Sequence, residues 1–380
     1  MNILKVMGCT SNQYASMERY LVEKSKRIVS DGGTFVVIYE NQPVSEEFIR
    51  DFEKTGGILL EDKLEHVLDI ACYRRLSRII KQYDIDVVHN YFTPTCHRVA
   101  IYLKLTGFSK LVRSAANMPY VIPAGKDFDN YKVPLKLRIR HLFLSFFVKS
   151  IICRSEAVRQ SFIKAGVKPE KTALGDGGCN VEKYQFSEFD RATVRSELGF
   201  KDDDLVLGVC CRLVPVKRID RLIERCSAAV ESGIKLKLVI AGDGPEMTCL
   251  KKIAANHKKF NIFFLGQKDN LVSFYSALDI FCLSSESEGM SNSILEAMAI
   301  ERPVMVTDIP PNRGLVIPEK SGFMISYDDD GEFISCLEKL LDPDIRRQKG
   351  MFNRQHVVDN FSLEARLNKE LAIYEKTINQ

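Results

Sequence analysis

The sequence contains no C-x-x-C pair, no long block of Lys and Arg, no G-x-G-x-x-G loop and no long uninterrupted apolar run. Each absence excludes a class. Eleven cysteines, an odd number, are scattered singly apart from the adjacent Cys210 and Cys211. That spacing argues against a disulfide frame or a zinc site and for free thiols in a reducing compartment. The formal net charge of +4 is mild, so an anionic partner is allowed, whereas a nucleic acid is not expected. The longest apolar stretch, "HLFLSFFV" from His141 to Val148, falls well short of the about 20 residues a spanning helix needs. The first residues, "MNILKVMGCT", lack the basic start and apolar run of a signal peptide. A cytoplasmic protein is expected, soluble or peripheral on the cytoplasmic face of a membrane.

What is present is a long chain with ample material for cores. At 380 residues, 45% apolar and 27% charged, two globular domains are the natural expectation. Short β-branched runs alternate with helical patterns: residues 2–7, 34–39, 86–91, 110–114 and 150–155 in the first half. The alternation loosens between Gly175 and Asp204 and then restarts at 205–211, 235–242, 261–266, 279–284 and 303–307. Such alternation predicts α/β architecture: two doubly wound, Rossmann-like domains with parallel sheets. The expected division is 1–184, 185–361 and a last helix within 362–380 of undecided placement. Ligands of open α/β sheets bind outside the carboxyl ends of strands, so the expected site is a cleft where two sets of strand ends face each other.

Four stretches after second-half strands carry chemistry. In "SESEGMSNSILEAM" (Ser285–Met298), a polar loop enters an apolar helix that Ser291, Asn292 or Ser293 could cap. A helix start is suited to phosphate. Glu288 and Glu296 flank that cradle and suit neutral hydroxyls better than the anion, since like charges repel. A nucleotide sugar has hydroxyls on both sides of its diphosphate: Glu288 would take the sugar and Glu296, reaching around the helix start, the ribose. The bland alternative is a solvated loop glutamate and a helix-favouring one. In "CRLVPVKRIDRLI" (Cys211–Ile223), Arg212 and Lys217 lie across a Pro-containing turn and can address one diphosphate; taken alone they read as ordinary surface charge. "VIAGDGPE" (Val239–Glu246) is a tight glycine turn at Gly242 that allows close backbone approach. "FFLGQKDN" (Phe263–Asn270) ends a strand where a nucleobase could meet Gln267 and Lys268.

The order R-L-x-x-x-K, G-D-G-P-E, F-L-G, E-G-x-x-x-x-x-L-E-A-M-A and R-P-V resembles the retaining glycosyltransferases of family 4, which have the GT-B fold. The E-x7-E spacing of Glu288 and Glu296 matches that family, as do "SMERYLVEKSKRIVSDGG" and "SEAVRQSFIKAGV" in the first half. The resemblance covers nearly the whole chain and is most specific from Leu205 to Val306. It implies a retaining hexosyltransferase using a nucleoside diphosphate sugar, most simply UDP-linked, with a glycan or lipid-linked acceptor, in surface polysaccharide or glycoconjugate synthesis. By resemblance, Arg212, Lys217 and Glu288 are catalytic. Glu288 with the backbone of Gly289, Met290 and Ser291 holds the transferred sugar, the amides beginning at Asn292 face the diphosphate, and Glu296 holds the ribose. Gly8 approaches the diphosphate from the first domain, and the last helix crosses back onto that domain.

The chain also departs from the family. Where many members carry a His near the transferred sugar, "VRSAANMPY" places Ala116; Arg113 and Asn117 are the nearest polar substitutes. His89, ending "DVVH", is a further acceptor-side candidate, or else a hydrogen-bonded structural residue. Asp176 or Gly177 stands where Asn is common. No metal and no cofactor are expected: Asp84-x-Asp86 precedes its strand rather than following it, and the other Asp runs read as polar turns. Residues 131–150 mix Lys132, Lys136, Arg138, Arg140 and Lys149 with a dense apolar stretch. Such a segment suits either an anionic membrane surface or a buried helix with a basic outer face. Two other functions would use the same donor site: a nucleotide-sugar epimerase of the same fold, or a donor-binding subunit without turnover.

Overall fold

The computed structural model describes the chain except residues 8–13, 15, 40, 42, 44, 63–69, 92–94, 116–117, 121–127, 129, 176–177, 202, 327–328 and 380. Two compact units emerge, one of Met1–Gly178 with Leu363–Gln380 and the other of Cys179–Ser362.

The first unit is built on strands β1 (Ile3–Met7), β2 (Phe35–Tyr39), β3 (Ile58–Glu61), β4 (Val87–Tyr91), β5 (Leu111–Ala115), β6 (Ser150–Cys153) and β7 (Thr172–Leu174). They form one parallel sheet in the order β3-β2-β1-β4-β5-β6-β7. The central strands are buried along their whole length, as expected of a sheet covered by helices on both faces. Sequence patterning missed β3 and β7, and the reason is their place. Each is an outermost strand, is only partly buried and lacks the continuous apolar run of an inner strand.

The second unit holds β8 (Leu205–Cys210), β9 (Leu236–Ala241), β10 (Asn261–Gly266), β11 (Ile280–Leu283), β12 (Val304–Thr307) and β13 (Gly322–Ile325). Their order is β10-β9-β8-β11-β12-β13, again all parallel. In this sheet the strand order reverses between β8 and β11, which makes their carboxyl ends the topological switch point.

The boundary between units lies earlier than the expected residue 184. Cys179 donates its N–H to the Phe361 carbonyl at 2.7 Å, and Arg354 Nη1 donates to the Val181 and Tyr184 carbonyls. Those bonds tie residues 179–184 to the second unit. The last helix, Leu363–Ile378, belongs to the first unit: Leu367, Leu371 and Tyr374 share a core with Ile3, Phe35 and Val87.

A buried polar network also ties that helix to its sheet. Lys24 Nζ donates to Glu370 Oε1 at 2.7 Å, with both side chains fully buried. Tyr20 and Tyr374 each donate to the same carboxylate. His89, in the middle of β4, meets the Tyr374 hydroxyl through Nδ1 at 2.5 Å and Ser114 Oγ through Nε2 at 2.8 Å. Burial, then the Lys5 charge, lowers its pKa to about 4, so it is neutral at pH 7. Glu370, beside Lys24 and Lys5, stays ionised, held well below the usual carboxylate range.

Candidate functional site

Two loops of the second unit meet at the switch point. The first leaves β8 through Arg212 and Leu213 and makes a short helical turn at Pro215–Lys217. Arg218 then takes a left-handed conformation with φ of 48°, a strained choice for a residue with a Cβ. Its guanidinium is held by Asp220 at 3.1 Å and by Glu286 at 2.6 Å. The second loop leaves β11 through Ser284–Met290. Ser284 Oγ donates to the carbonyls of Lys217 and Arg218, both at 2.9 Å, and the Glu286 N–H donates to Val216 at 2.9 Å. Thr307 Oγ1, at the end of β12, donates to the Ser285 carbonyl at 2.6 Å.

These braces bring Lys217 and Glu288 together. Lys217 Nζ donates to Glu288 Oε1 at 2.5 Å, with side-chain exposures of 18% and 10%. Among the described residues neither side chain has another hydrogen-bond partner. An ammonium has three donors and a carboxylate about four lone-pair sites, so most of the pair's capacity is open to a ligand. Arg212, on the same loop, is exposed and without an ion-pair partner among the described residues. Beyond Glu288, the segment Gly289–Ser291 leads into the helix Asn292–Ala299. Ser291 precedes that helix without accepting from its first turn and pairs with Ser293 Oγ at 3.0 Å instead.

Glu296 is not brought to this pair. Its carboxylate is buried and accepts from Tyr275 Oη at 2.9 Å, and the cation it feels is Lys183 rather than Lys217. Burial raises its pKa, which the bonds from Tyr275 and Tyr184 oppose. The two glutamates are therefore sensed by different neighbours: the Cys210 thiol feels Glu296 and the Cys211 thiol feels Lys217 and Glu288. Burial pushes both thiols up to about 12, which leaves them unreactive. The eight cysteines whose side chains are described are all free.

Gly242 has a structural role where close approach to a ligand was expected. At φ of +122° a Cβ there would stand 1.9 Å from the Cys211 carbonyl oxygen, and its N–H donates to Gly266 at 2.7 Å. At Gly244 a Cβ would stand 2.3 Å from the Leu213 oxygen. The G-D-G turn thus lets the β9 loop pack directly against the Arg212 loop and support it from behind. Gln267 and Lys268 follow β10 and are exposed.

In the first unit His89 is removed from the acceptor side, because both ring nitrogens are engaged in the buried network under the last helix. Arg113 is half-buried in β5 with its guanidinium over the Phe162 ring at 5.8 Å. Gly8, Ala116, Asn117, Asp176 and Gly177 lie outside the described residues. Among the described residues no three His, Cys, Asp or Glu side chains are grouped to hold a metal. Sequence reasoning did not single out Tyr275, Ser284 or Arg218. Their roles rest on contacts between residues 21 to 68 positions apart, and no local pattern signals those.

Comparison with known proteins matches both units to glycosyltransferases. Residues 190–353 match the model of the glycosyl transferases group 1, and residues 17–183 match glycosyltransferase family 4. The Escherichia coli UDP-Gal:alpha-D-GlcNAc-diphosphoundecaprenol alpha-1,3-galactosyltransferase is 26% identical over 315 residues, 81% of this chain and 80% of that protein. The putatively named glycosyltransferase EpsD of Bacillus subtilis is 26% identical over 80% of each chain. Among solved structures, a glycosyltransferase from Rickettsia africae superposes with a TM-score of 0.79 at 18% identity, over 100% of this chain and 99% of that one. Anabaena HepE in complex with UDP-glucose gives 0.76 at 19%, over 99% and 100%. With both units matched in order and the GT-B fold shared, the chain belongs to the glycosyltransferases, its first unit of the family 4 type and its second of group 1.

Proposed function

We propose that the protein is a retaining hexosyltransferase that moves a sugar from a UDP-linked donor to a glycan or lipid-linked acceptor in surface polysaccharide or glycoconjugate synthesis. One observation carries the reading: Lys217 and Glu288 meet at 2.5 Å where β8 and β11 end, beside the start of the Asn292–Ala299 helix. A diphosphate arriving there draws Lys217 away from Glu288, and the released carboxylate accepts from the sugar hydroxyls. The donor itself thereby exchanges one ion pair for two better-matched contacts. Arg212, Lys217 and the helix amides stabilise the charge that develops on the departing diphosphate, so the reaction needs no metal. Gln267 and Lys268 address the base. For Glu296 a ribose role requires its bond from Tyr275 to be shared with the ribose hydroxyl.

The bond from the anomeric carbon to the diphosphate breaks, and the bond to the acceptor oxygen forms on the same face. The acceptor proton passes to a phosphate oxygen of the leaving group, which makes a dedicated protein base dispensable. The configuration is retained. Support for donor and acceptor comes from relatives: the Escherichia coli enzyme is named for a UDP-galactose donor and a diphosphoundecaprenol-linked acceptor, and HepE holds UDP-glucose.

The test is a nucleotide-release screen of several UDP- and GDP-sugars, with and without lipid-linked saccharides. Acceptor-dependent UDP release, with a product of unchanged anomeric configuration, is expected. Conversion of the donor without acceptor would show an epimerase instead, and donor binding with no release under any acceptor would show a subunit without turnover.

A further inference from the structure

The helix Leu135–Phe146 faces the wrong way for a protein surrounded by water alone. Leu135, Ile139, Leu142, Phe143 and Phe146 are 53–69% exposed, whereas the side turned inward buries His141 and Ser145. The expectation of a buried apolar half with a basic outer face is thus reversed. At helical spacing the five apolar side chains fall within an arc of about 100°. Arg138 flanks that arc on one side, and Lys136 and Arg140 flank it on the other. The concentration is unusual: five of the eleven exposed large apolar side chains among the described residues stand on this one helix. Patches of this kind mark interaction sites.

The helix ends beside a cationic pocket. A cavity of about 300 Å³ is lined by Phe146, Lys104, Lys149, Lys171 and Lys376, against one carboxylate, Glu170. Lys104 Nζ stands 4.9 Å from the centre of the Phe146 ring, so the charged and apolar parts are contiguous. Next to Lys104 in sequence, Leu105 is 79% exposed. Lys171 is anchored on the Ser145 and Val148 carbonyls at 2.6 and 3.0 Å. Burial, and then the charges of Lys104, Lys149 and Lys168, lower its pKa. The lysines therefore repel one another, and an anion among them would relieve that.

We infer that this face docks the protein on an anionic lipid bilayer, with the apolar row in the boundary between headgroups and acyl chains and a lipid phosphate in the lysine pocket. The twelve-residue helix, about 18 Å long, is too short to cross, and none of the described helices is long and apolar enough to do so. Lying in the interface plane is what a helix with an apolar stripe and basic flanks does. A second copy of the chain fits less well. A two-fold contact places the same patch against itself and would bring Arg138, Arg140 and Lys136 against their own copies. The inference adds a membrane surface to the proposed transfer reaction and stands apart from it.

The test is co-sedimentation of the full chain with vesicles of phosphatidylcholine alone and with vesicles in which roughly a third of the lipid is phosphatidylglycerol, since surface charge drives this binding. Wild type is expected to bind the anionic vesicles, less so at high salt. Phe143→Glu with Phe146→Glu, and separately Lys104→Glu with Lys376→Glu, should each weaken binding about tenfold or more. Phe143, Phe146 and Lys376 are exposed and Lys104 is half-buried, and an unchanged melting curve checks the fold. Equal binding by wild type and both variants, or equal binding to neutral and anionic vesicles, would overturn the inference. So would a wild-type dimer in solution that Phe143→Glu converts to a monomer, because a second copy would then be the occupant. Binding is read without donor or acceptor, so failure of sugar transfer leaves this result untouched.

Discussion

Two Lys–Glu pairs in this molecule look alike on paper and differ in how fully their bonding is satisfied. Lys24 and Glu370 stand 2.7 Å apart with neither side chain exposed, and two tyrosines complete the carboxylate's bonding. Lys217 and Glu288 stand 2.5 Å apart, partly open, with no further partner among the described residues. The first pair is saturated and fixes the last helix to its sheet. The second is a provisional contact with capacity left over, which is the condition a binding site must meet. Saturation of the hydrogen-bonding inventory, rather than distance or charge, separates a structural ion pair from a functional one.

That contrast can be tested from both sides. The largest effect is expected at the saturated pair: Lys24→Met should leave a buried carboxylate without its ion-pair partner, with Lys5 as the remaining nearby cation, and cost about 3–5 kcal/mol in chemical denaturation. Adding Glu370→Gln should restore more than half of that, since the neutral amide can accept from one of the two tyrosine hydroxyls and donate to the other. At the open pair the order of penalties inverts. Lys217→Ala should lower kcat roughly a hundred- to thousandfold while shifting the denaturation midpoint little. A Lys217→Ala protein with near wild-type turnover would remove this loop from the donor site.

The smallest of the three effects is a pH dependence of the first unit. His89 is neutral when folded, with a pKa of about 4 against 6.5 for the exposed side chain. Below pH 6.5 the unfolded chain therefore binds a proton that the folded one does not, and stability falls as pH drops from 6.5 towards 4. The loss amounts to at most about 3 kcal/mol. Glu370, depressed in the fold, adds a loss of the same sign as pH falls below the usual carboxylate range. Denaturation of His89→Gln across that window should be flatter than wild type; an unchanged slope would assign the pH dependence elsewhere.

How far the sequence reached can be seen in the same two regions. Inner strands such as β1, β8 and β11 are buried on both faces and write themselves as apolar runs, so the two α/β units were readable. The outermost β3, β7 and β13 left too little pattern to find. Lys217 and Glu288 were legible because each follows a strand in a short motif. The true neighbour of Glu296 was not, since Tyr275 reaches it from another element. Gly242 was read as a place of close backbone approach, and in the structure the Cys211 backbone makes such an approach. His89 could be read as a strand-end candidate or as a hydrogen-bonded structural residue, and its bonds to Ser114 and Tyr374 favour the second.

The first unit is made of two separated stretches of chain, and this sets a timetable during synthesis. Lys5, Lys24 and His89 emerge from the ribosome long before Glu370 exists. The whole of Cys179–Ser362 must be translated in between, a wait of roughly 10–40 s at usual elongation rates. For that interval the nascent first unit carries two lysines destined for burial without their counter-charge, while the contiguous second unit already has every residue it needs.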